Sequence, residues 1–381
     1  MTNASRLFLL WFGCRRISVA AGVVLAMLCL TSAHADPPQL LWRKKVDLGG
    51  YGYASAIAAN PDGDVVVAGP TGGSFGGPNR GDTDIFVAVF SADGTLRLRR
   101  HPGTREEDSR GRVAIDTAGN VVVAGSTYGS LAKPNEGYVD GFVVSYSSAG
   151  AVQWRRQPAS RQTDWINAVA LDDAGAVVVA GQTDGWLAGP RTGPDDAFVV
   201  KYAAGGAEQW GHQLGITGSD AAMAVAVDAA GNVAVAGRKD SSLLFLVKYA
   251  ADGTELWRRK FGPAMGTLDG VAIDAAGNIV VAGVTTASLG GPNNGAYDAL
   301  VAAYSPDGRL LWTQQPGTSN DDWPYGVRIE AGTGNVILGW RTNDGNMGVL
   351  SFFSVYSPAG ALLGTLQLPA GWNDEQITQF T

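Results

Sequence analysis

Two dipeptides carry the clearest chemistry in this chain, Asp164-Trp165 and Asp322-Trp323. An indole presents a flat apolar face and one N–H donor, and a carboxylate beside it accepts hydroxyl hydrogens. Together they suit stacking on a sugar ring. Trp186 and Trp340, both read as loop residues, extend the same candidate set. The competing role for these tryptophans is to cover seams between packed units. Adjacent carboxylates at Glu106-Glu107-Asp108, Asp195-Asp196 and Asp321-Asp322 raise hydrolysis as a second chemistry. A glycosidase needs two carboxyls about 5–10 Å apart across a site, in unlike environments. Sequence neighbours in a solvated loop do not meet that need, so no residue is assigned a catalytic role.

Composition removes other classes. Cys14 and Cys29 are the only cysteines, and they fall with His34 inside the first 35 residues. The remainder therefore has no disulfide, thiolate nucleophile or Cys-ligated metal. It keeps two histidines, His101 and His212, which follow basic runs and read as edge residues. No Gly-x-Ser-x-Gly elbow, phosphate-binding loop or His-Glu-x-x-His motif is present. Asp116, Asp172, Asp228 and Asp274 each precede a glycine turn and read as Asx-turn acceptors of backbone N–H groups. Calcium at these turns is the alternative, but it calls for a carboxylate-dense loop that the chain lacks. No metal or cofactor is expected. The formal net charge is −7, and residues 1–35 contribute three arginines and no acid, so the remainder is more acidic still. That argues against nucleic acid or anionic lipid as a partner.

The N-terminus reads as an export signal. A basic segment with Arg15-Arg16 precedes the apolar run Ile17–Leu30, and Ala33-His34-Ala35 supplies the small residues of a cleavage site. Cleavage is expected after Ala35, leaving residues 36–381 as one exported domain with no further membrane span. The expected location is the periplasm or the extracellular surface.

The elements that would position these residues come from an internal repeat. Val113–Gly125 recurs at Ala56–Gly69, Val169–Gly181, Val225–Gly237, Val271–Gly283 and Val327–Gly339. The closing glycines are separated by 56, 56, 56, 46 and 56 residues. An aromatic run follows each copy, as in Phe142–Tyr146 and Phe198–Tyr202. A turn such as Pro306-Asp307-Gly308 comes next, then a segment around Trp154, Trp210, Trp257 or Trp312. Val and aromatic enrichment between such turns predicts four short strands per repeat, here called a, b, c and d.

Six repeats of about 56 residues, buried on both faces, predict an all-β propeller of four-stranded antiparallel blades. Side-chain size rises from Ala in strand a through Val in b and Phe or Tyr in c to Trp in d, as a wedge-shaped gap between blades requires. Six blades are expected, with seven as the alternative. Strand d is the edge of each blade, and its basic runs, such as Arg155-Arg156 and Arg258-Arg259-Lys260, read as charge that deters edge pairing. The b–c and d–a connections share one end and vary in length, which makes that end the expected binding face.

The repeats resemble the bacterial SBBP-type β-propeller repeat family. Two motifs carry the resemblance: Asp-x-Phe-Val-x-x-Tyr running on to Trp, as in Asp140–Trp154 and Asp196–Trp210, and Val-x-x-Asp-x-x-Gly-Asn-x-x-Val-Ala-Gly, as in Val113–Gly125 and Val271–Gly283. It covers nearly all of residues 40–368. Members look like exported or surface proteins without an assigned activity. The c–d segment is also similar to the tryptophan-bearing repeat of quinoprotein propellers, which commonly carry a vicinal cysteine pair absent here. The expectation is an exported, non-enzymatic, monomeric propeller that binds an envelope protein or a polysaccharide through its loop face. The alternative is a carboxylate-based hydrolase or lyase acting on an extracellular polysaccharide.

Overall fold

The computed structural model describes residues 5–12, 22–30, 39–215, 218–240, 243–262, 266–343, 349–368 and 377–380. Each repeat folds into one four-stranded antiparallel sheet, in the order a-b-c-d. Blade 1 has strands Ala56–Ala59, Val65–Thr71, Asp84–Phe90 and Leu96–Arg100. Blade 2 has Asp108–Ile115, Val121–Thr127, Asp140–Tyr146 and Val152–Arg156. Blade 3 has Asp164–Leu171, Val177–Thr183, Asp196–Tyr202 and Glu208–Gln213. Blade 4 has Asp220–Val227, Val233–Lys239, Leu243–Tyr249 and Glu255–Phe261. Blade 5 has Gly266–Ile273, Ile279–Thr285, Asp298–Tyr304 and Leu310–Gln314. Blade 6 has Asp322–Ile329, Val336–Asn343, Val349–Tyr356 and Leu362–Gln367. The fold class is a β-propeller built on these six blades.

The chain divides into two compact units, one of residues 1–191, 198–213 and 375–381, the other of residues 192–197 and 214–374. The first also holds a four-stranded sheet made from Ile377–Phe380, Ser5–Phe12, Gly22–Leu30 and Gln39–Asp47. Two of its strands thus come from the segment read as an export signal. Ala35, the expected cleavage residue, lies outside the described residues.

Strand b is buried along its whole length in blades 1, 2 and 5, because it packs on both faces. Between blades 2 and 3, Val122, Ala124, Val143 and Trp154 meet Ile166, Val177, Phe198 and Tyr202 in one cluster. The glycine that closes the sequence repeat does not end the strand. Strand b runs two residues beyond Gly69, Gly125 and Gly181. A Cβ at Gly181 would stand 1.8 Å from the Trp165 carbonyl oxygen of strand a, so close backbone approach, rather than a turn, demands glycine there.

Neighbouring blades are clasped at their outer strands. Trp154 Nε1 donates to the Ala204 carbonyl at 2.7 Å, and Arg156 Nε donates to the Gly206 carbonyl at 2.6 Å. Gly206 turns at φ 79°, and a Cβ there would lie 2.7 Å from the Trp154 ring. Trp257 and Arg259 grip Pro306 and Gly308 of blade 5 in the same way, at 2.8 and 2.6 Å. Trp312 and Gln314 grip Pro358 and Gly360 of blade 6, both at 2.9 Å. The Trp210 ring also lies against the His212 ring, with centroids 5.4 Å apart. The basic runs therefore split by role. Arg100, Arg156 and Arg259 donate to the next blade's turn, whereas Arg99, Arg155 and Lys260 stay exposed on the edge.

Candidate functional site

The site is built on a repeated junction between consecutive blades. Strand a of blades 2, 3, 4 and 6 opens with Asp108, Asp164, Asp220 and Asp322. Strand c of blades 1, 2, 3 and 5 opens with Asp84, Asp140, Asp196 and Asp298. All eight are buried. The backbone N–H of the first set donates to the carbonyl just before the second: Asp108 to Thr83, Asp164 to Val139, Asp220 to Asp195 and Asp322 to Tyr297, at 2.7–2.9 Å. These are the loop positions that the sequence reading offers to a ligand. Asp164 and Asp322 are instead closed off from it, each fully buried at the start of a strand.

Local donors replace solvent at these carboxyls. Asp164 accepts Ser160 N at 2.5 Å, Ser160 Oγ at 2.9 Å and Thr183 Oγ1 at 2.5 Å. Asp322 accepts Thr318 N at 2.6 Å and Thr318 Oγ1 at 3.2 Å. Asp140 accepts Glu136 N at 3.1 Å and Gln157 Nε2 at 2.8 Å, and Asp298 accepts Gln315 Nε2 at 3.0 Å. Burial raises the pKa of Asp164, with the Asp140 charge adding to it, and Asp322 is raised by burial and by Asp298. Asp108 is pushed up to about 7, by burial first and then by the Asp84 charge. Its Oδ1 and the Asp84 Oδ1 are buried without a donor. A carboxyl beside a carboxylate, sharing one proton, is the chemistry that such a pair adopts.

Gln157 ties this junction to the b–c loop. Its Oε1 accepts Leu131 N and Ala132 N at 2.8 and 3.0 Å, while Nε2 also donates to the Gly129 carbonyl at 3.0 Å. Gln213 and Gln315 make the same loop contacts in blades 3 and 5. His101 takes this place in blade 1, with Nδ1 3.2 Å from the Gly77 carbonyl and Nε2 3.8 Å from Asp84. The sequence reading passed over these glutamines, although each follows a strand-d tryptophan by three residues.

The junction sets two side chains next to each other at its open end, one just before strand c and one just after the strand-a aspartate. At blades 1 to 2 these are Thr83 and Ser109, and at blades 3 to 4 they are Asp195 and Ala221. At blades 2 to 3 the two positions are Val139, fully buried, and Trp165, with the exposed Tyr138 one residue further out. Tyr138 N donates to the Gln162 carbonyl at 3.2 Å, and Val139 bridges Thr163 in parallel pairing. The Tyr128 ring then meets Tyr138 edge-on at 5.3 Å and Trp165 edge-on at 6.4 Å. Tyr138 is 72% exposed.

Arg110 completes this cluster. It occupies the bulge where strand a of blade 2 shifts register, between Ser109 and Arg112. Its φ is 58°, a left-handed conformation that costs a non-glycine residue on the order of 1–3 kcal/mol. The bulge aims its guanidinium at the Trp165 ring, 4.5 Å from the centroid, and at Asn167 Oδ1, 3.0 Å away. Burial lowers the Arg110 pKa, and the Tyr128 and Tyr53 hydroxyls oppose that shift. Tyr53, 53% exposed, holds the position in blade 1 that Trp165 holds in blade 3.

The remaining candidates scatter. Trp186 is 75% exposed in the b–c loop of blade 3, next to Gly185, which packs on Ser160. Trp340 is not a loop residue. It lies in strand b of blade 6, 6% exposed, stacked on Phe352 at 4.5 Å and bonded through Nε1 to Ser354 Oγ. Trp323 pairs with Tyr297 in the second unit, with centroids 5.2 Å apart. Asp116 closes its turn on Asn120, accepting N at 2.7 Å and Nδ2 at 2.7 Å. Asp228 and Asp274 repeat this on Asn232 and Asn278, and Asp172 accepts Ala176 N at 2.7 Å. Among the described residues no group of three or more His, Cys, Asp or Glu side chains is arranged to hold a metal ion.

No known family model matches the chain. Over 144 residues it is 28% identical to the regulatory protein FlaEY of Caulobacter vibrioides, a match spanning 34% of this chain and 15% of that protein. Among solved structures it is similar to the WD40 domain of Neurospora crassa Pan2, at 13% identity and a TM-score of 0.45 over 80% of this chain and 76% of that one. It is also similar to a quinonprotein alcohol dehydrogenase-like protein from Bacteroides thetaiotaomicron, at 10% identity and a TM-score of 0.38 over 98% and 90% of the two chains. A Hadza microbial sialidase matches at 9% identity with a TM-score of 0.43, over 94% of this chain and 75% of that one.

Proposed function

We propose that this chain is an exported binding module that holds a polysaccharide on the aromatic cluster of Tyr128, Tyr138, Trp165 and Arg110. One observation carries the reading. At blades 3 to 4 the junction closes with Asp195 and Ala221, neither of them aromatic, whereas at blades 1 to 2 the Tyr51 hydroxyl bonds Thr83 Oγ1. The rings at blades 2 to 3 are therefore surplus to the seam. They remain partly open to solvent, and a non-glycine residue in a left-handed conformation braces them. Unexplained strain beside exposed aromatic side chains marks a site under functional constraint.

Among the described residues, the location of exposed aliphatic side chains favours sugar over protein as the ligand. Among the described residues the large exposed aliphatic side chains, Leu96, Val152, Leu256, Leu310, Leu311, Leu362 and Leu363, are on strands d. At the cluster the polar neighbours of the rings are Arg110 and Gln162, while Asn167 is buried and its Oδ1 accepts from Arg110. Flat rings with amide and guanidinium donors suit an unbranched β-linked glycan, whose pyranose faces are apolar and whose edges are polar. Asp164 and Asp322 cannot serve there as acid or base, being buried and already hydrogen-bonded, which favours binding over hydrolysis. The apolar N-terminal run and the resemblance to SBBP-type repeats support export to the periplasm or cell surface.

The test is electrophoresis of the full chain in native gels cast with hydroxyethylcellulose, laminarin or glycol chitin. At least one polymer should retard the protein. Trp165→Ala combined with Tyr138→Ala should restore free mobility without lowering the melting temperature. Free mobility of the wild-type chain in all three gels would sink the reading.

A further inference from the structure

We infer that the chain carries a second glycan platform, formed by Tyr297 and Trp323 at the junction of blades 5 and 6. One chain would then bind two oligosaccharides at separate sites. The inference rests on the reading of the first cluster as a glycan site.

The second platform shares the strand-a tryptophan and the backbone bond of the first, with Tyr297 standing where the first has Val139. Asp322 N donates to the Tyr297 carbonyl at 2.7 Å, as Asp164 N donates to Val139. Tyr297 N reaches Asp321 Oδ1 at 3.3 Å, which fixes the approach of the tyrosine from the other side. Trp323 occupies the repeat position of Trp165, directly after a buried aspartate. The rings lie 5.2 Å apart at 31°, closer to parallel than the first cluster, and neither ring is buried.

Packing does not require these rings, because Asp195 and Ala221 close the equivalent junction in the same unit with a backbone bond of 2.9 Å. Polar groups flank the pair. Arg341 stands opposite Trp323 in the strand register with its guanidinium over the Tyr325 ring at 6.0 Å, and Asn320 Nδ2 donates to the Asn343 carbonyl at 2.8 Å. The exposed leucines of this unit are elsewhere, on strands d. The result is a pair of adjacent, partly exposed aromatic rings with an arginine and an asparagine nearby in the chain and the strand register.

Isothermal titration of the full chain with cellohexaose and with hexa-N-acetylchitohexaose tests this. The wild-type chain should bind the better of the two with a stoichiometry of two. Trp323→Ala should reduce it to one, and so should Trp165→Ala. Tyr297→Ala, which alters the other blade, should repeat the loss and guards against misfolding by the tryptophan change. Wild-type stoichiometry of one overturns the second platform and leaves the first standing. So does an unchanged stoichiometry in both Trp323→Ala and Tyr297→Ala. Binding of neither hexasaccharide by the wild type would refute the glycan reading itself, and the second platform with it.

Discussion

Replacing Asp108 with Asn isolates a single proton in the fold. Burial, and then the charge of Asp84, raises this carboxyl from 3.8 to about 7 in the native chain. Each unit corresponds to about 1.36 kcal/mol, so a rise of roughly three units is worth about 4 kcal/mol. The native state holds the proton more tightly than the unfolded chain does. The contribution is therefore complete below the unfolded pKa of 3.8, declines as pH rises, and is lost above about 7. Asn keeps the shape, accepts the Thr104 bonds through its carbonyl and offers Nδ2 to the donorless Asp84 Oδ1. Urea unfolding of both proteins between about pH 4 and about pH 8 reads the effect. Carboxyls with lowered pKa, such as Asp252 and Asp307, tilt both curves the opposite way and cancel in the difference. The stability of the wild type relative to Asp108→Asn should fall by about 4 kcal/mol across this range. A difference that stays flat within about 1 kcal/mol would show that Asp108 ionises normally and that no proton is shared.

Two further outcomes are expected. Gly206→Ala should destabilise the chain by about 2 kcal/mol or more, since the new methyl meets the Trp154 ring at a left-handed turn, while Gly205→Ala, which meets nothing within 4 Å, should stay within about 0.5 kcal/mol. Thermal melts of the pair check this, and equal losses would remove the clasp as the cause. The intact mass of protein recovered from an exporting host should correspond to a chain beginning at Asp36, and a full-length mass in that fraction would refute cleavage after Ala35.

Much of the fold was legible because the repeat states it six times. Strand types, turn glycines and the wedge of side-chain sizes follow from residue chemistry alone. What misled was one glycine with two meanings. Gly339 reads as the end of a strand, yet its counterparts in strand b are glycines because a carbonyl of strand a presses on them, and the strand continues past them to include Trp340. The aspartates misled for a related reason. Asp164 lies in a polar stretch that reads as an exposed loop, and only the backbone bond to Val139 of the preceding blade shows that it is enclosed. Such a contact spans sequence distance and leaves no local signature. Trp165 kept its candidacy, but its polar neighbours changed from the adjacent carboxylate to Arg110 and Asn167, side chains of two different blades. Gln157 was visible as a repeated residue and passed unremarked, because a lone glutamine carries no motif.

The clasp from one blade's strand d to the next blade's turn has a bearing on how such a chain changes length over generations. Blades 1, 2, 4 and 5 each carry a gripping half on strand d, and blades 2, 3, 5 and 6 a gripped half at the c–d turn. Excising the stretch from Gly125 to Gly181 would bring Arg100 up to Gly206, a glycine of the same kind as Gly150, which it grips now. Unequal recombination between these related segments would then yield a shorter or longer chain in which this joint still matches. Repeat number would then be a quantity that a lineage could vary without first redesigning this joint.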